Sequence, residues 1–587
     1  MHLNRVVPFA LLGAAVCTLW PAWQHAGAVI PGDPTSDAYD HLWGYWWWAY
    51  ALGHLENPLR TTLSHQPPGG TLWFVDPLNA LLAAPLQTFV STATATTTVL
   101  TAQVFGTLLA VWLGLRKQSP LGAPVAAVVV GAGAYTLGLL QSGVYEFVAI
   151  GPVAAFYFAL RNGVRPAATA AFWVLAAVAN FYYAAFAGLL ALVWLVESPG
   201  SWRQFARAAA LALPPITLLA MFALTTLHAP DAVVHAETAP GWVQGNLPAV
   251  DPLAFVHPGG WFFPDNARSG NVGIVHVPYI GWVAILLAGL GLVAHRADAI
   301  RCGALGWRVP AALALAFVFA LGPSLALGQH PLRVAAHDVW MPLAVLYFPG
   351  SPVQFIHHPY RLVVVLLLAM APLVAGGVEA AARRLPARAG WLAPLVLSLI
   401  FLAEAHWISP IGSLPAHASR TAPVDPDPFT LQAATDPTVT GIFNFPPDAH
   451  HGNRRYEMLA IFHQKRMPYG VNSFLPDAWA HNGLVIALLG CLTHPQVLGV
   501  PREGGPPPRT WFARNGLASP RPTPAQIDEG TTALEHDGYS HIVLADTLTR
   551  GDRDEVITLL AWHAERVQES VYRLGGSPSG QTAVPRR

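Results

Sequence analysis

Three carboxylates and a histidine stand close together near the start of the chain, in Pro31-Gly-Asp-Pro-Thr-Ser-Asp-Ala-Tyr-Asp-His-Leu-Trp43. In a helix that begins here, Asp37, Asp40 and His41 fall at i, i+3 and i+4 and share one face. A carboxylate and an imidazole so placed can form a hydrogen-bonded acid/base pair, able to take a proton from a hydroxyl or an amine. The plainer reading is a helix-capping loop, with Ser36 or Asp37 as N-cap of a helix from about Ala38 to Leu55. Acids held at a membrane edge more often mark a substrate path. Asp33, directly before Pro34, reads as a turn residue.

Other groups could bind rather than react. Trp43, Tyr45, Trp46, Trp47, Trp48 and Tyr50 follow at once. They read as an interfacial aromatic belt, and Trp43 is a candidate ring for stacking on a sugar or an isoprenoid. In Leu63-Ser-His-Gln-Pro-Pro-Gly-Gly-Thr-Leu72, Gly69 and Gly70 let backbone amides come close to a ligand. That loop lacks the Lys-Ser/Thr ending of a nucleotide-binding loop, so its alternative is a structural turn. Glu146, in Gln141-Ser-Gly-Val-Tyr-Glu-Phe147, is either a capping acid or a group that binds hydroxyls. His357-His-Pro-Tyr-Arg361 offers His357, His358 and Arg361. A guanidinium fork suits a phosphate, though an interfacial Arg also meets lipid headgroups without specificity. His-x-x-x-Arg is no metal motif. A divalent metal stays possible and is not required.

The elements that must position these groups are mostly membrane helices. The chain has 587 residues, 53% hydrophobic and 11% charged, where a soluble domain carries roughly 25% charged residues. Apolar runs predict eleven spans near 5–24, 98–115, 121–140, 147–160, 167–181, 183–196, 208–227, 276–294, 310–328, 361–381 and 389–407. The first is expected to remain as an uncleaved helix. Asn180-Phe-Tyr-Tyr183 interrupts 167–196 only briefly, so that region could be one broken helix. The stretch 76–90, broken by Pro85, reads as interfacial or re-entrant.

With the N-terminus inside, thirteen Lys and Arg fall in inner loops and four (Arg60, Arg268, Arg333, Arg361) in outer ones. Loops 25–97, 228–275 and 329–360 then lie outside. Residues 1–408 form the membrane module, and 409–587 a small outer α/β domain. Gly441–Phe445 and His541–Ala545 read as buried strands, Asp552–Leu574 as an amphipathic helix, and 500–530 as a Pro/Gly-rich insertion. Net charge is +0 and gives no sign of nucleic acid. Cys17, Cys302 and Cys491 make no disulfide framework and no metal spacing. Arg, Ala, Gly and Pro are abundant and lysines number two, a composition that suits a GC-rich bacterial genome and a bacterial plasma membrane.

The order of motifs resembles the GT-C superfamily of polytopic membrane glycosyltransferases, in its YfhO-like and dolichyl-phosphate-mannose-mannosyltransferase-like branch. The motifs are Asp37-Ala-Tyr-Asp-His-Leu-Trp43 with its Trp-rich helix, Pro67-Pro-Gly-Gly70, Asp76-Pro77, Gly143-x-x-Glu146 and Pro-Tyr-Arg361. In the outer domain they are Arg455-Tyr456, His463-Gln-Lys-Arg-Met-Pro468, Gly470 and Gly538-Tyr-Ser-His-Ile-Val543. The resemblance implies a polyprenyl-phosphate-sugar donor and a glycan, lipid or protein acceptor outside the membrane. It also implies Asp37 as the first-loop catalytic acid. Asp40 departs from the tighter acid-x-acid pairs of some branches. The alternative is a transporter, a flippase or a non-catalytic assembly subunit for lipid-linked glycans.

Overall fold

The computed structural model describes residues 3–34, 37–64, 69–72, 76–227, 229, 249–256, 278–301, 307–327, 330–335, 337–346, 359–390, 392–407, 421–446, 452–468, 481–492, 522–546 and 548–575. The chain divides into two compact units. A helical unit comprises Met1–Asp33, Val75–Phe222 and Thr238–Ala422; an α/β unit comprises Pro34–Phe74, Ala223–Glu237 and Pro423–Arg587.

In the helical unit, each of the eleven expected spans overlaps a helix. Among the described residues, four stretches are long and apolar enough to cross a bilayer: Thr92–Leu115, Gly122–Gln141, Pro199–Thr226 and Tyr360–Ala382. Shorter apolar helices include Pro166–Ala179, Phe181–Glu197, Arg308–Ala320 and Ala393–Ala405. The region 167–196 is two helices. Asn180 is extended between them, and its Oδ1 accepts from Tyr182 N at 2.8 Å, capping the second. Pro77–Leu86 is a ten-residue helix.

Small residues let these helices meet backbone to backbone. A Cβ on Gly377 would lie 2.0 Å from Leu287 O, one on Gly291 1.9 Å from Leu373 O, and one on Gly122 2.0 Å from Ala375 O. Threonines of Thr92–Leu115 satisfy themselves within the helix: Thr96 donates to Thr92 O at 2.8 Å and Thr101 to Thr97 O at 2.8 Å. Glu404 caps the helix Trp282–Arg301, accepting from Val283 N at 3.1 Å and Tyr279 OH at 2.6 Å.

The α/β unit is built on a four-stranded sheet. Ile442–Phe445 lies parallel to His541–Leu544, which pairs antiparallel with Val571–Arg573, and that strand with Glu565–Gln568. The two strands expected from sequence are both present. Phe443, Phe445, Ile542, Leu544 and Tyr572 pack against Leu484 and Leu488 of Gly483–Gly490 and against Val556 and Leu560.

Two expectations are corrected here. The helix expected over Asp552–Leu574 is Arg550–His563, capped by Thr549, whose Oγ1 accepts from Asp552 N. Ala564 then turns extended and Glu565–Arg573 forms a hairpin that buries Val571 and Tyr572. Likewise, the expected irregular stretch 500–530 contains the start of the helix Pro524–His536. Thr523 and Gln526 form a capping box there, with Pro524 in the first turn. Residues 493–521 lie outside the described residues.

Candidate functional site

Asp37 occupies the N-cap position of the helix Ala38–Gly53, but its side chain makes no cap hydrogen bond. It pairs instead with Arg454, on the helix Gly452–His463. The same guanidinium reaches Asp40, with Nε 3.3 Å from Oδ2. The shared face expected for Asp37 and Asp40 is therefore used, and a cation from far along the chain occupies it. Arg454 bridges two carboxylates with different edges of its fork, the geometry that distinguishes Arg from Lys. Asp37 keeps 24% of its side chain exposed, against 4% for Asp40. A partner can thus meet Asp37 from outside while Asp40 stays covered.

A third acid, Glu457, stands one turn beyond Arg454 and is buried at 1% exposure. Burial pushes the Glu457 carboxyl well above the usual range, and the neighbouring Asp40 charge pushes it further. Burial also raises Asp40, against the pull of Arg454 and with a further push from Asp37. His41, buried on the same helix, favours the Asp40 anion and lies 6.0 Å from the Tyr45 ring.

The helix that carries the acids is fixed by its aromatics. Trp43 stacks on Trp47 with centroids 5.8 Å apart, and both are fully buried. Trp47 Nε1 donates to Pro58 O at 2.9 Å, and Tyr39 OH to Pro423 O at 2.6 Å. Gly69 takes a left-handed φ of 62°, and Gly70 pairs with Thr61 in a two-residue ladder. Met467 N donates to Leu63 O at 2.8 Å, tying this loop to the C-terminal part of the unit.

In the helical unit a second polar group forms around Arg361. Its guanidinium lies 3.8 Å from the Phe147 ring centroid and within 6.0 Å of those of Tyr182 and Tyr360. Its Nε donates to Tyr360 OH at 3.3 Å. Glu146, half-buried in the single turn Tyr145–Phe147, acts on it electrostatically, as does Tyr135. The turn is held from both sides. Tyr183 OH donates to Phe147 O, and Asn79 Nδ2 reaches Tyr145 O at 3.4 Å. Asn79 also donates to Asp76 at 2.9 Å and accepts from Gln103 at 2.8 Å, all three buried. His357 and His358 lie outside the described residues. Among the described residues, no three His, Cys, Asp or Glu side chains are arranged to hold a metal ion.

No protein-family model matches the chain, and no curated relative does. Solved structures overlay on it at low identity. ArnT from Cupriavidus metallidurans, solved with undecaprenyl phosphate bound, overlays at TM-score 0.48 and 10% identity, covering 99% of each chain. The Archaeoglobus fulgidus oligosaccharyltransferase overlays at TM-score 0.47 and 10% identity, over 95% of this chain and 71% of that one. Arabinofuranosyltransferase AftD from Mycobacteria gives TM-score 0.45 and 16% identity, over 98% of this chain and 42% of that one. The functional reading below therefore rests on this chain's own residues.

Sequence reasoning singled out Asp37, Asp40 and His41 and missed Arg454 and Glu457. Their spacing, three apart on one amphipathic stretch, was a signal for a shared face. Nothing local tied that face to a loop some 400 residues earlier. Asp76, Asn79, Gln103 and Tyr135 were likewise invisible as a group, because each stands alone in its own segment.

Proposed function

We propose that this chain is a polytopic membrane glycosyltransferase of the GT-C kind. It would transfer a sugar from a polyprenyl-phosphate donor to a hydroxyl or amine outside the membrane. The observation that carries the reading is the partly open Asp37 carboxylate, fixed by Arg454 at the start of the first-loop helix. A carboxylate with one face held and one face open is placed to take the acceptor's proton as the sugar is transferred. Asp40 and His41 stand behind it and set its electrostatic surroundings.

Arg361 is the candidate for the leaving phosphate. A guanidinium packed on rings is poorly hydrated and available to an anion as charge builds on it. His357 and His358 would add donors there, and Glu146 would bind sugar or acceptor hydroxyls. Trp43, Gly69 and Gly70 support the first-loop segment and its backbone approach to a ligand. Residues 409–587, proposed to lie outside the membrane with the N-terminus cytoplasmic, would hold or recognise the acceptor.

The test is transfer by purified protein in lipid, using a panel of radiolabelled polyprenyl-phosphate sugars. At least one donor should turn over with the native chain. Saturable lipid binding with no turnover of any donor would instead support the transporter or assembly-subunit reading.

A further inference from the structure

We propose that Arg454 and Glu457 are positioning residues for Asp37, and that one proton held between Glu457 and Asp40 decides whether Arg454 serves Asp37 alone or is divided between Asp37 and Asp40. The inference deepens the reading of Asp37 as base and rests on it.

The geometry comes first. Arg454 and Glu457 stand at i and i+3 on Gly452–His463 and so share a face. That helix packs against Ala38–Gly53. The guanidinium meets Asp37 through one terminal nitrogen and Asp40 through Nε at 3.3 Å. Asp40 and Glu457 are both nearly closed to solvent, at 3% and 1% exposure. The groups that face Asp40 are Asp37 and His41 from its own helix, and Arg454 and Glu457 from the other. Two acids thus meet one arginine, and a third, Glu457, is buried three residues along the arginine's own helix and acts on Asp40. Two buried carboxylates that act on each other do not both ionise readily, so in this proposal the pair retains a proton where an exposed acid would lose it.

The consequence for Asp37 follows from where that proton sits. Glu457, the more deeply covered and the more strongly raised of the two, is assigned the proton and turns it toward the Asp40 anion. Asp40 is then satisfied, and Arg454 is free to hold Asp37 tightly, which lowers the basicity of Asp37. When the pair releases its proton to solvent, Asp40 loses a donor and gains a like-charged neighbour. Both changes draw the guanidinium toward Asp40 and Glu457. Asp37 is then held less firmly and is the better base. Transfer should therefore rise with pH through the titration of this pair. Stability should move the opposite way. A carboxyl raised by folding keeps its proton where the unfolded chain has released it, so stability falls as pH rises from the ordinary carboxylate range through the folded value.

The decisive variant is Glu457→Gln, which keeps the shape and a permanent donor to Asp40. Three measurements on full-length protein in lipid or detergent are needed: the pH–rate profile for transfer, the carbonyl-stretch infrared band of a protonated carboxyl across pH, and thermal unfolding across pH. The variant should lose the rising limb, and its high-pH rate should sit at the wild-type low-pH rate. It should also lose the titrating infrared band and show a flatter stability profile. Asp40→Asn, the second variant, should keep the band but move its titration to lower pH, because the like charge that raises Glu457 is gone while its burial remains. A wild-type rate limb together with a wild-type infrared band in Glu457→Gln would overturn the proposal. The infrared and unfolding readings do not depend on sugar chemistry. If Asp37 is not the base, transfer survives in Asp37→Asn while the pair still titrates.

Discussion

Arg361, in the helical unit, lies on the face of Phe147 with tyrosines around it and Glu146 acting on it. Arg454, in the α/β unit, lies among Asp37, Asp40 and Glu457. Both are largely covered, and both stand at the end of long-range contacts in the chain. Their surroundings differ in kind. Arg361 has one carboxylate, Glu146, acting on it within a shell of rings and hydroxyls. Arg454 pairs with two carboxylates, and Glu457 lies buried on its own helix. One cation is set mainly among rings and the other among acids. Under the proposed function, the same residue type would serve phosphate binding in one unit and proton transfer in the other, according to what packs beside it.

The largest effect should come from removing the cation at the acid-rich centre. Arg454→Met leaves buried acids unpaired, a change that costs about 3–5 kcal/mol when one member of a buried ion pair is lost. Thermal unfolding of the variant should drop accordingly, and transfer should fall with it; unchanged stability would mean that the acids do not need Arg454. The counterpart at the other centre is Arg361→Ala. Losing a charge-assisted hydrogen bond, worth about 1.5–3 kcal/mol, should weaken binding of a polyprenyl phosphate by roughly tenfold or more without comparable unfolding. Arg361→Lys should recover only part of it, because the fork is lost. If binding were weakened equally by Arg454→Lys and Arg361→Lys, the contrast between the two centres would fail.

The scaffolds beneath the two centres should also respond differently. Gly377→Ala puts a methyl on Leu287 O in the helical unit and should destabilise by about 1–3 kcal/mol through overpacking. Its unfolding should show no new dependence on pH. The α/β unit contains His463, buried with its Nδ1 accepting from Lys465 N at 2.9 Å. Burial pushes this imidazole down to about 3. The unfolded chain then binds a proton near pH 6.5 that the folded chain refuses, so stability is lost as pH falls from that value toward 3. His463→Gln should flatten this acid slope by up to about 1.4 kcal/mol per pH unit. An unaltered slope in that variant would place the acid sensitivity elsewhere.

Much of the architecture was legible because hydropathy and strand patterning act locally. The helices over the expected spans and the strands at Ile442 and His541 all follow from runs of apolar residues. Where chain-end chemistry decides, the reading failed. Pro524 looked like part of an irregular stretch until Thr523 and Gln526 made it the first turn of a helix. Val571 and Tyr572 looked like a helix face but pair as a strand. At the site, Asp37 and Asp40 could be read from their own spacing. Arg454 could not, since its role comes only from packing one helix on another. The expected capping role of Asp37 was displaced for the same reason, since a guanidinium outcompetes the helix amides for its carboxylate.

The central claim is that Asp37 moves a proton while Arg361 holds the lipid phosphate. Its most direct test is turnover of Asp37→Asn at saturating donor, measured beside its affinity for the polyprenyl phosphate. The account predicts a loss of about 100-fold or more in turnover with affinity unchanged. Turnover equal to that of the native chain would contradict it.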